Sequence, residues 1–218
     1  MDKLFLCLFI LLSIVHLYGC YFRKPKLLAP VTKPLLMPAL LLCYLAISPA
    51  YSYYVIVALV FATIGDAFLI GHSNPTMLRL GLASFFLMQL CYVLNFFSLV
   101  GEPGMTLMFL TVVCYVSVYG IAITFLFSFV PKRYHFSIAI YMISISMVGV
   151  MALLTFFTNF SNWTGLILFG SGMFICSDFI LCMEYFKERT RYGHFIVMAT
   201  YIIAQICIVM GLANVGGI

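Results

Sequence analysis

Asp66 and Asp178 are acids set inside long apolar runs, in closely similar local sequences: Gly65-Asp66-Ala67-Phe68-Leu69 and Ser177-Asp178-Phe179-Ile180-Leu181. A carboxylate near the centre of a bilayer costs about 2.5–3.5 kcal/mol on insertion scales, so acids kept there face a protein interior or a wet cavity and mark function. Two carboxyls at one depth can divide acid–base work. One keeps its proton where desolvation and a neighbouring negative charge disfavour ionisation, and the other stays charged to take a proton or steady a cation.

Other polar side chains fit the same chemistry. In the fourth apolar run Gln89, Tyr92 and Asn95 recur at a spacing of three; in the eighth, His194, Met198, Tyr201 and Gln205 share a helical face. Lys33 opens the second run, where it can meet a phosphate or pair with an aspartate. For Gln, Asn and Tyr the plain alternative is bridging between helices. For the aspartates it is a structural hydrogen-bonded pair. Gly170, Ser171 and Gly172 read as residues that let helices pack closely.

The elements that must position these groups follow from composition. With 65% apolar residues, 8% charged residues and a mean hydropathy of +1.18, the chain lies far outside the soluble globular range. Its 218 residues leave room for seven to nine membrane-spanning helices of about 20 residues each. The apolar runs are continuous rather than alternating, which argues against a transmembrane β-barrel. Pro, Gly and charge divide the chain into spans at 4–22, 35–47, 53–70, 77–100, 105–130, 134–157, 163–185 and 193–215. The expected fold is all-α, a polytopic membrane protein of eight transmembrane helices in a single domain, residues 1–218. The second span is short and contains Pro38, so seven helices is the competing count.

Charge placement supports eight. Arg23, Lys24, Lys26 and Lys33 follow the first span, Arg79 the third, Lys132 and Arg133 the fifth, and Lys187, Arg189 and Arg191 the seventh, leaving only Lys3 of the 11 basic residues on the other side. By the positive-inside rule the odd-numbered connections are cytoplasmic and both termini lumenal or exoplasmic. The net charge of +5 is then a topology signal, and no nucleic-acid partner is called for. The third and seventh spans run in the same direction, and each aspartate precedes the basic end by about four to eight residues, or about 6–12 Å. A shared cavity open toward the cytoplasm is therefore expected. The offset of 112 residues between Asp66 and Asp178 also relates Leu69 to Leu181, Arg79 to Arg191 and Gly81 to Gly193. It suggests two parallel four-helix halves, 1–104 and 105–218.

The sequons Asn159-Phe160-Ser161 and Asn162-Trp163-Thr164 fall in the sixth connection, on the lumenal side, where a short loop holds both asparagines close to the membrane. The first span is too long for a signal-peptide core and lacks a small-x-small cleavage pattern, so it is expected to stay as a helix. The eight cysteines form no CxxC pair and read as packing residues.

The elements Lys33-Pro34-Leu35-Leu36-Met37-Pro38, Gly65-Asp66-Ala67-Phe68-Leu69, Gln89 with Cys91-Tyr92, Gly170 to Ser177-Asp178, and Tyr201 with Ala204-Gln205 resemble, in order and over nearly the whole chain, the YhhN-like transmembrane family, which includes the animal lysoplasmalogenases. The resemblance implies hydrolysis of the vinyl ether bond of a lysoplasmalogen, a membrane lipid, to a fatty aldehyde and glycerophospho-ethanolamine or -choline. It implies Asp66 and Asp178 as the catalytic acid–base pair, with Lys33, Gln89, Tyr92, Tyr201 and Gln205 around the substrate, and it points with the sequons to the endoplasmic reticulum. Gln89 stands where the family commonly carries His, so no proton-transfer role follows there. The chemistry needs neither metal nor redox cofactor: protonation at the β-carbon gives an oxocarbenium ion that water captures, as in glycoside hydrolysis.

Two other readings use the same residues. Buried acids in a repeated architecture also serve proton- or cation-coupled transporters. A zinc-dependent intramembrane hydrolase could draw on His72, His135 and His194 near the basic side, although they lack HxxxH or HExxH spacing.

Overall fold

The computed structural model describes residues 2–22, 28–71, 74–187 and 189–215. They form eight α-helices: α1 (Asp2–Phe22), α2 (Leu28–Ile47), α3 (Tyr53–Ile70), α4 (Pro75–Leu99), α5 (Met105–Phe127), α6 (His135–Thr158), α7 (Asn162–Phe186) and α8 (Gly193–Val215), with a 3-10 turn at Lys132–Tyr134. All eight are long and apolar enough to cross a bilayer. Among the described residues there are no strands. The chain is an integral multi-pass membrane protein, and the eight-helix count holds over the seven-helix one.

The second helix departs from expectation. It begins at Leu28, not at residue 35, so Lys33, Pro34 and Pro38 all lie within it. Pro30 falls in its first turn, where no intrahelical donor is needed, and each later proline removes a single bond that a membrane protein's neighbouring groups can replace. Lys33 is therefore a helix residue and not part of the loop charge. Arg79, Lys132, Arg133, Lys187, Arg189 and Arg191 are exposed near helix ends as expected, whereas Arg23, Lys24, Lys26, His72 and the side chain of Lys3 lie outside the described residues.

The chain falls into two compact units, Met1–Asn95 with Val209–Ile218, and Phe96–Ile208. In the first, α2 packs on α1 and α3 around buried Leu36, Met37, Leu40, Tyr44 and Leu59. The Ser52 amide donates to the Tyr44 hydroxyl (2.8 Å), tying the α2–α3 turn to the core. α3 meets α4 through complementary sizes: a Cβ on Gly65 would come within 2.9 Å of the Phe85 ring, and one on Gly81 within 2.8 Å of Leu69.

In the second unit α5 is held to α6 by the hydroxyls of Tyr115 and Tyr119, which reach the carbonyls of Ile143 (3.5 Å) and Ala139 (3.4 Å). Gly149 admits Ile175 between α6 and α7. α7 meets α8 at Gly170, where a Cβ would stand 2.8 Å from the Ala204 carbonyl oxygen and 2.9 Å from Cys207. The close-packing role expected for Gly170 is thus observed. Gly172, by contrast, is exposed with open space at its Cβ position and supports no contact. α7 starts with a capping box: the Thr164 amide donates to Ser161 Oγ (3.1 Å) and the Ser161 amide to Thr164 Oγ1 (3.0 Å).

Candidate functional site

In the first unit the acid is Asp66, on α3 and 1% exposed. Lys33 Nζ lies 3.5 Å from its Oδ1, with both side chains withdrawn from solvent. At that separation the attraction is that of a charge pair rather than of a short charge-assisted hydrogen bond. The earlier start of α2 makes the pairing possible, because it carries Lys33 about a turn and a half into the helix.

Beside Lys33 stands a buried polar chain that the sequence reading missed. Thr32 donates its hydroxyl to the Leu28 carbonyl (2.7 Å) and so can only accept from His16 Nδ1 (2.8 Å). That assigns the imidazole proton to Nδ1 and leaves Nε2 to accept from the Cys20 thiol at 3.4 Å. His16 is fully buried and ties α1 to α2 one residue away from Lys33. Its signal was available, since an ionisable ring within a span is as costly as an acid there.

Gln89 and Tyr92 on α4 are fully buried, and Asn95 on the same face is 5% exposed. Asn95 Nδ2 donates to Ser52 Oγ at 2.5 Å, which makes it a support of the α2–α3 turn.

In the second unit Asp178 is half-buried on α7, and the Tyr141 hydroxyl of α6 donates to its Oδ2 at 2.5 Å. The preceding residue, Ser177, donates to the Val197 carbonyl of α8 (3.0 Å), fixing α7 against α8 next to the acid. Tyr201 and Gln205 on α8 are buried, and the Tyr201 ring sits 6.2 Å from that of Phe174. Two turns before Asp178, about 10 Å along α7, Ser171 Oγ is buried without a hydrogen-bond partner. Tyr141 carried no warning in the sequence; only the packing of α6 on α7 brings it to an acid 37 positions away.

The histidines fall apart from this chemistry. His135 Nε2 donates to the Val130 carbonyl (2.8 Å) and its ring stacks on Phe127 at 3.9 Å, so it caps its own turn. His194 is exposed at the start of α8, unlike Met198, Tyr201 and Gln205, which corrects the four-residue face expected for that helix. Among the described residues no three His, Cys, Asp or Glu side chains gather as metal ligands.

The two acids are thus held differently. Asp66 has the Lys33 ammonium as its counter-charge. Asp178 takes a hydrogen bond from the Tyr141 phenol on Oδ2, which orients the carboxyl. A carboxyl held in either way can serve as a general acid or base. The family model described as YhhN family matches residues 28–212. No curated protein and no solved structure matches the chain.

Proposed function

Because the chain belongs to the YhhN family, we propose that it is a lysoplasmalogenase, an ether hydrolase that adds water across the vinyl ether of a 1-alkenyl-glycerophosphoethanolamine or -choline. The products are a fatty aldehyde and glycerophospho-ethanolamine or -choline. The observation that supports this reading best is the unequal setting of the two intramembrane acids, Asp66 beside Lys33 at 3.5 Å and Asp178 beneath Tyr141 at 2.5 Å.

The proposed cycle balances. Asp178 gives its proton to the β-carbon of the enol ether, and the α-carbon becomes an oxocarbenium centre. Asp66, charged because of Lys33, accepts a proton from the water that attacks this carbon. The hemiacetal then collapses: Asp66 returns its proton to the departing glycerol oxygen while the hemiacetal hydroxyl reprotonates Asp178. Lys33 acts on Asp66 in this scheme instead of binding phosphate. Gln89, Tyr92, Tyr201 and Gln205 are assigned to the glycerol and phosphate oxygens of the lipid. The basic odd-numbered connections are placed in the cytoplasm and both termini in the lumen of the endoplasmic reticulum.

Purified protein in detergent, where no gradient exists, is to be incubated with a lysoplasmalogen and, separately, with its saturated ether analogue. Aldehyde is expected from the first alone. Release from neither, or from both, refutes the reading. Asp66→Asn and Asp178→Asn should each lower turnover by about a hundredfold or more, the usual contribution of a positioned acid or base.

A further inference from the structure

α5 differs from the other helices in how little of it is covered: of its residues only Thr111 and Leu126 are buried. Along its exposed face runs a shallow open groove from Val116 to Ser128, with Ser117, Gly120, Thr124 and Phe125 in its floor. Twelve residues of helix make this about 18 Å long, close to half of a hydrocarbon core about 30 Å thick. The groove therefore spans about one leaflet.

Its polarity is less than the residue names suggest. Ser117 donates to the Val113 carbonyl (2.8 Å), Thr124 to Gly120 (2.6 Å) and Ser128 to Phe125 (2.7 Å). Each hydroxyl proton is spent on its own helix, so the floor presents methyl and methylene surface, and at Gly120 it presents open space.

The end of the groove nearest the basic turn is charged. Lys187 Nζ lies 5.6 Å from the centre of the Phe125 ring and 5.7 Å from that of Phe129, and the Phe125 ring is itself stacked on Phe179 at 5.8 Å. Arg133 sits 4.9 Å over Tyr134, whose ring packs at 5.2 Å on Phe186, the neighbour of Lys187. Cation–π contacts thus hold an ammonium at the mouth of a leaflet-long apolar channel.

We propose that this groove binds one anionic phospholipid, its phosphate at Lys187 and an acyl chain along the floor from Phe125 to Val116. A second copy of the chain fits less well. Helix pairs in membranes gain from hydroxyls that bond across the interface, and these are already committed. A two-fold arrangement about α5 would also bring one Lys187 toward the other. A phosphate complements the ammonium instead. The site is independent of the proposed reaction and uses none of its residues.

The test uses the full chain in nanodiscs of phosphatidylcholine containing a minor share of phosphatidylserine that carries a photoactivatable group in one acyl chain. Crosslinked peptides are mapped by mass spectrometry. Label is expected between Val116 and Phe125, and a phosphatidylcholine probe of the same chain should label there less. Lys187→Gln should cut the phosphatidylserine label by about fivefold, the usual effect of one basic residue at a membrane surface. Gly120→Leu, placed in open space, should displace label from α5 without lowering the thermal midpoint. Label spread evenly over the exposed helices, or unmoved by both substitutions, overturns the proposal. So does a dimer in solution that Gly120→Leu dissolves, because that would show a second copy on this face.

Discussion

Replacing Lys33 by Met removes the counter-charge 3.5 Å from Asp66 while keeping most of the side chain's length and packing. Two unit charges at that distance attract by about 5 kcal/mol at an effective dielectric of 20, and desolvation opposes part of this. Breaking one side of a buried pair typically costs about 3–5 kcal/mol, because the remaining charge keeps its burial and loses its compensation. For a chain of this size that corresponds to a fall of about 6–20 °C in the thermal midpoint. Asp66→Asn should cost a similar amount, since it leaves the ammonium behind. The double variant removes both charges and should recover much of the loss, giving a coupling energy of about 2 kcal/mol or more. Thermal unfolding of the four purified forms in one detergent measures the cycle, and aldehyde release from a lysoplasmalogen is read in parallel. If the two effects add to within about 0.5 kcal/mol, the residues are not an energetic pair. If Lys33→Met also turns over like the wild type, Lys33 does not maintain the base.

Tyr141→Phe deletes the hydroxyl that donates to Asp178. In the proposed cycle this bond becomes one to a charged group only as the Asp178 proton leaves, which raises its worth from about 1 kcal/mol to about 1.5–3 kcal/mol, so kcat should fall by about tenfold with KM little changed and the thermal midpoint lowered only slightly; an unaltered kcat removes Tyr141 from the mechanism. Gly170→Ala forces a methyl against the Ala204 carbonyl and should destabilise by about 1–3 kcal/mol. Gly172→Ala, in open space, should be neutral or stabilise by up to about 1 kcal/mol, and equal effects at the two positions would contradict the α7–α8 packing. The sequons should carry no glycan: Asn159 donates its side-chain amide to the Leu99 carbonyl, and Ser161 and Thr164 are engaged in the capping box. A mobility shift on glycosidase treatment of protein from eukaryotic cells would show that this junction opens.

The eight helices were legible because Pro, Gly and charge punctuate apolar runs of membrane-spanning length, and the two acids because burying a carboxylate in lipid is too costly to be incidental. The start of α2 was not legible. Prolines read as breakers, whereas one lies in the first turn and the other two each delete a single replaceable bond. Misplacing that boundary counted Lys33 with the loop cations, so that pairing with an aspartate stood only as an alternative to binding phosphate and its partner, Asp66, was not fixed. Gly172 and His194 failed for a related cause: helical periodicity says which residues share a face, and neighbouring helices decide whether that face is covered. Tyr141 and His16 belong to contacts between helices that no spacing encodes.

The likeness between Gly65-Asp66 and Ser177-Asp178 has a physical content that differs from the one it first suggests. The residue before each acid is small, and it sits about 100° from the acid around the helix. At Gly65 that direction is filled by the Phe85 ring of α4, and at Ser177 by the Val197 carbonyl of α8, to which the serine donates. Close approach of a neighbour on this side fixes the rotation of the helix, and the rotation fixes where the acid points. The polar partner of each acid does not come from the motif. It comes from α2, through Lys33, for one acid and from α6, through Tyr141, for the other. Two similar local sequences can therefore hold one acid beside an ammonium and the other against a phenol hydroxyl, a difference that resides in helices lying outside both motifs.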